Sequence, residues 1–77
     1  MLKLKLKISK KSNSVFDIEH PENFVGNILK NINGNKLFFK EYDHSLNEYT
    51  IQLFGQSLTR TPLEIQDYLN NKLLSYV

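Results

Sequence analysis

The sequence predicts an α+β domain in the order ββαββα: two hairpins separated by a helix, with a second helix at the C-terminus. The four strands would form a mixed sheet ordered 2-1-4-3, with the first helix across one face. Three observations carry this. Leu2-Lys3-Leu4-Lys5-Leu6-Lys7-Ile8 alternates apolar and polar residues without a break, the period of a strand with one buried face. Behind His20-Pro21-Glu22-Asn23, the residues Phe24, Val25, Ile28, Leu29 and Ile32 recur at helical spacing. Thr61-Pro62-Leu63-Glu64 has the form of a capping box, with proline at the first helical position.

Composition bounds the class. Seventy-seven residues make one domain, 1–77, near the lower size at which a core alone supports folding. Hydrophobic residues make up 40% and charged residues 23%, ordinary values that argue against a disordered tail or a membrane protein. With no cysteine, disulfides, thiol catalysis and thiolate metal sites are excluded. Lysine at every second position spoils the first residues as a secretory signal, and no stretch is long and apolar enough to span a bilayer, so a cytoplasmic location is expected. Net charge is only +2 but unevenly placed: residues 1–40 carry +5 and residues 41–77 carry −3.

Along the chain, Phe16 and Ile18 resume the alternation after the polar turn Ser9–Ser14. Pairing Ile8 with Phe16 and Leu6 with Ile18 keeps the apolar residues on one face, because a slip of one residue turns every side chain over. The same register sets Lys7 opposite Asp17 and Lys5 opposite Glu19 on the outer face. The first helix would run from Pro21 to Asn33, with Gly34 as its left-handed cap. Lys36 to Asp43 and Asn47 to Phe54 form the second hairpin, with Phe39 opposite Ile51 and Leu37 opposite Leu53 around His44-Ser45-Leu46. The C-terminal helix, with Ile65, Tyr68, Leu69, Leu73 and Tyr76 on one stripe, is too short to stand alone in water and must dock.

Two hairpins flanking a helix resemble the β-grasp arrangement, and on topology alone residues 1–54 resemble the immunoglobulin-binding domains of bacterial surface proteins. The resemblance implies a fold and no function. It places the second and third strands at the sheet edges.

Catalytic machinery is not evident. Asp43-His44-Ser45 combines catalytic residue types, but neighbours in a tight turn rarely converge, and His20 reads as a turn residue. No phosphate loop or metal-ligand spacing occurs, so no cofactor or metal is expected. Two surfaces remain. Phe38, Tyr42 and Phe54, beside Lys36 and Lys40, form a candidate partner-binding patch of aromatic anchors. The lysines next to aromatic rings also offer a stacking platform with phosphate contacts, which makes single-stranded nucleic acid the alternative partner. Against nucleic acid stand the low net charge and the single arginine. The expectation is a non-enzymatic protein-binding module, similar in size and composition to small phage- or mobile-element-encoded inhibitors that act by binding a target protein. A homodimer through strand 36–43 or the C-terminal helix is a further expectation.

Overall fold

The computed structural model describes residues 15–77. The Leu2–Ile8 strand and its pairing with Phe16 and Ile18 lie outside those residues. The described part is one antiparallel sheet of five strands: β1 (Ile28–Asn31), β2 (Lys36–Asp43), β3 (Glu48–Leu53), β4 (Gln56–Arg60) and β5 (Leu74–Tyr76), in the order β4-β3-β2-β1-β5. One helix, α1 (Pro62–Asn70), links β4 at one edge to β5 at the other.

This overturns the β-grasp-like ββαββα reading with its four-stranded mixed sheet and two helices. The segment expected to be the first helix divides instead into a 3-10 turn, Pro21–Phe24, and the strand β1. Gly26 sits at φ +95°, a left-handed conformation that a helix interior does not contain. Its N–H donates to the Phe39 carbonyl at 2.7 Å, and the Phe39 N–H donates to Asn27 at 3.0 Å, so the backbone is already laid against β2. Burial follows the strand period as well. Leu29 is fully buried, whereas Ile28 and Ile32, both on the expected helical stripe, are exposed. Gly34 does adopt a left-handed φ of +88°, but as the end of a three-residue hairpin loop. There the Gly34 N–H donates to the Asn31 carbonyl, and the Asn31 side chain accepts from the Asn33 and Asn35 N–H groups.

Phe16 and Ile18 belong to no strand. Ile18 and Glu19 form a turn in which the Asp17 carboxylate accepts the Glu19 N–H and meets His20 Nδ1 at 3.0 Å. The hydrogen bond holds the Asp17 carboxyl below its ordinary 3.8 and raises His20 above 6.5. The His20 contribution is present below pH 6.5 and fades as pH rises through its raised value. The Asp17 contribution is present above pH 3.8 and fades as pH falls through its lowered one. An NMR titration is therefore expected to place the His20 midpoint above 6.5, and Asp17→Asn to return it toward that value.

The second hairpin forms as the sequence indicates, with Phe39 opposite Ile51, but a bulge between Phe39 and Glu41 shifts the register beyond it. Tyr42 then faces Tyr49, and Asp43 faces Glu48 across a four-residue turn instead of three. Continued alternation from Leu37 and Phe39 would point Glu41 and Asp43 into the core. The extra residue, Lys40, turns both carboxylates out and brings Tyr42 in.

α1 starts where expected. Thr61 accepts from the Glu64 N–H, and the Glu64 carboxylate accepts from the Thr61 N–H, the reciprocal bonds of a capping box. Thr61→Ala should cost about 1 kcal/mol in a denaturant titration. The helix stops at Asn70, so Leu73 and Tyr76 do not extend its stripe. Lys72 lies at φ +62° while its N–H donates to Leu69 and that of Leu73 donates to Tyr68, the paired bonds of a Schellman stop. A lysine in that conformation is strained where glycine is not. Lys72→Gly is expected to raise stability by about 0.5–1 kcal/mol, read as a shifted urea midpoint at constant slope.

Every buried apolar residue of β1–β5 lies on the face that α1 covers, and the core divides along it. Toward the Asp43–Glu48 turn it is aromatic: Phe24 packs edge-on against Phe16 and Phe39 at centroid distances of 5.3 and 5.0 Å. Tyr49 closes this half and donates its hydroxyl to the Pro21 carbonyl at 2.6 Å; burial pushes its phenol pKa well above the usual range. Toward the hairpin tips at Ile32–Asn35 and Phe54-Gly55 the core is aliphatic, made of Leu37, Ile51 and Leu74 with Ile65 from α1.

Candidate functional site

The aliphatic half is not filled. An open groove of about 280 Å³ lies between α1 and the sheet, its floor formed by Leu37, Ile51, Leu53 and Leu58, and its helix wall by Ile65 and Tyr68. Asn31 and Arg60 are the polar residues of the lining, and Arg60 its one charge. The antiparallel ladder explains why these residues meet. Leu37, Leu53 and Leu58 alternate with outward-facing neighbours on three adjacent strands, and α1 crosses above them on its way from β4 to β5.

The groove opens toward the two hairpin tips. Ile32 and Leu73 line it there and remain exposed. Phe54 stands on the neighbouring tip, next to the lining residue Leu53, and is 77% exposed. Phe54 and Gly55 both have positive φ, +54° and +77°, in a two-residue loop whose preferred first residue is asparagine. A phenylalanine there carries backbone strain of about 1–2 kcal/mol with no burial in return. Strained, solvent-facing aromatics of this kind concentrate at sites of recognition.

The residues singled out from sequence do not form one patch. Phe38 is on the face away from α1, 41% exposed, in a row with Ile28 and Gln52. Lys36 shares that outer face and stands opposite Lys30, while Lys40 is exposed at the bulge. Tyr42 has crossed to the inner face, packs on Tyr49 at 5.3 Å and hydrogen-bonds Asn47. Phe54 alone is at the groove end. α1 lies on the inner face and leaves Phe38 uncovered. Strand 36–43 has neighbours on both sides, so the expected dimer through its edge is corrected: the edges among the described residues are β4 and β5.

Ile32, Leu58 and Leu73 were missed. The signal for the first was present, because Asn33-Gly34 and Phe54-Gly55 are both hairpin dipeptides directly preceded by apolar residues. Read as two tips of one sheet, they place Ile32 and Phe54 at the same end.

The histidines stand apart from the groove. His44 packs edge-on against Tyr42 at 4.8 Å, and the Asp43 carboxylate beside it accepts the Ser45 and Leu46 N–H groups, a turn-closing role. Among the described residues no helix is long and apolar enough to cross a membrane. No protein-family model, no curated protein and no solved structure matches the chain.

Proposed function

We propose that the chain is a non-enzymatic protein-binding module that seats an apolar segment of its target in the groove between α1 and the sheet, acting as an inhibitor would, by occupying that target. The observation that carries this is the apolar groove whose open end is lined by exposed Ile32 and Leu73, with the strained, exposed Phe54 on the neighbouring hairpin tip. At about 280 Å³ it lies at the lower limit of small-molecule pockets, roughly 300–1,000 Å³, and suits a few side chains better than a cofactor.

Phe54→Asn separates binding from folding. Asparagine relieves the left-handed strain, so the variant is expected to gain about 0.5–1 kcal/mol in stability. It is expected at the same time to lose the proteins that the immobilised wild-type chain retains from an extract of its host, compared side by side by mass spectrometry. Equal retention by the two chains sinks the reading.

A second reading rests on the outer face. Lys30 directly opposes Lys36 beside Phe38, a like-charge pairing that disfavours the bare sheet and favours an anion. The same face turns acidic along the ladder, at Glu41, Asp43 and Glu48, which shortens any phosphate track. A salt-sensitive gel shift with single-stranded DNA, lost on Lys36→Glu, would support it.

A further inference from the structure

We propose that β4 is a docking edge that accepts one extended strand from a partner protein, with an apolar side chain opposite Leu58 and a carboxylate opposite Arg60. This rests on the reading of the groove as a protein-binding site and specifies the segment that enters it.

The first ground is the edge itself. Among the described residues β4 pairs with β3 alone, leaving its far side open. Exposed edges are ordinarily protected by lysine, proline or a bulge. Gln56-Ser57-Leu58-Thr59-Arg60 contains no lysine or proline, and its ladder with β3 is regular throughout.

The second ground is which side chains the edge sends to the groove. Leu58 pairs with buried Ile51 and Arg60 with buried Tyr49, so both project to the inner face, and both line the groove. A strand added beside β4 continues the same alternation. Its main chain would supply the hydrogen bonds, and its inward residues, two apart, would meet Leu58 and Arg60.

The third ground is charge. Arg60 is the one charged residue on an otherwise largely apolar wall, and among the described residues no carboxylate lies within ion-pair distance of it. Its guanidinium donates to the neighbouring Thr59 carbonyl at 2.6 Å, a neutral acceptor. A carboxylate is the stronger acceptor for guanidinium and meets it in two parallel bonds. The sought segment thus carries an apolar and an acidic residue two apart, acidic–any–apolar if it runs antiparallel to β4 like the other strands of the sheet and apolar–any–acidic if parallel. The chain's own residues 1–14 contain no acid and do not meet that requirement.

Two fluorescein-labelled synthetic octapeptides of threonine and valine test this, one carrying Glu-Thr-Leu-Thr-Glu at its centre and the other Lys-Thr-Leu-Thr-Lys, so that either strand direction sets a charge opposite Arg60. Each is titrated by anisotropy against the full 77-residue chain. The glutamate peptide should bind the wild type about ten-fold more tightly than the lysine peptide. That preference should vanish in Arg60→Gln and invert in Arg60→Glu; the glutamine variant keeps the test valid if the charge reversal does not fold. Backbone amides of Ser57 to Arg60 should gain hydrogen-exchange protection with the glutamate peptide. Equal affinities, protection on β5 instead of β4, or sedimentation showing that a second copy already occupies the edge would each overturn the proposal. Equal affinities alongside retained proteins lost on Phe54→Asn would reject the strand while leaving the groove reading in place. Retention that ignores Phe54 rejects the groove reading whatever the peptides do.

Discussion

Phe24→Ala is expected to abolish the cooperative unfolding transition at 25 °C. Phe24 is 1% exposed and lies at the centre of the aromatic half, edge-on to Phe16 and Phe39 and within 6.4 Å of Tyr49 by ring centroid. It is also the inward residue of the 3-10 turn that closes this half of the core. Truncating such a side chain costs about 3–5 kcal/mol, because the lost transfer energy is compounded by a cavity that rings on several sides cannot collapse into. Domains of this size have roughly 5 kcal/mol or less to lose. Circular dichroism against urea would show a sloping, non-cooperative loss of signal. A sharp transition within 1 kcal/mol of wild type, a bound well below the roughly 3 kcal/mol expected, would mean that the turn does not seal the core.

Ile65→Ala should cost somewhat less, about 2–4 kcal/mol, and should act on the groove as well as on the fold. Apart from Pro62 at its first turn, Ile65 is the one buried side chain of α1, and it is fully enclosed. A helix of nine residues has little stability of its own, so its position over the sheet depends on that anchor. Ile65 also forms part of the groove wall. The expected result in a population that remains folded is hydrogen exchange in α1 faster than in β2 and β3, together with loss of any groove-bound peptide. Uniform exchange across helix and sheet would show that the helix and sheet open as one unit.

What the sequence made legible is the part where local and long-range signals agree. The capping box at Thr61 placed the start of α1, and alternation on both sides of a polar turn placed β2 and β3. Residues 20–33 show the opposite case. Five apolar residues at helical spacing outweighed two local contradictions, a glycine at position 26 and an Asn-Gly pair at 33–34, and those contradictions proved decisive. Strand pairing decided the matter through contacts with β2 that no local window contains. The end of α1 was hidden for another reason: its stop uses Lys72 in a conformation that glycine usually marks. For the candidate site, the exposure of Phe54 was within reach of the sequence. Tyr42 was not, because its side depends on where the ladder slips.

That slip has a consequence for how β2 responds to changes of length. The strand behaves as two segments of opposite phase joined at Lys40: one delivers Leu37 and Phe39 to the interior, the other Tyr42. Substituting Lys40 alters one exposed side chain, whereas deleting it would bring the two segments into a single phase. Phe39, Glu41, Tyr42 and Asp43 would then stay opposite Ile51, Thr50, Tyr49 and Glu48 in one regular ladder, with both carboxylates still outward and Tyr42 still inward. The residue without an opposite number in the ladder is therefore a position at which β2 can be shortened without exchanging its faces.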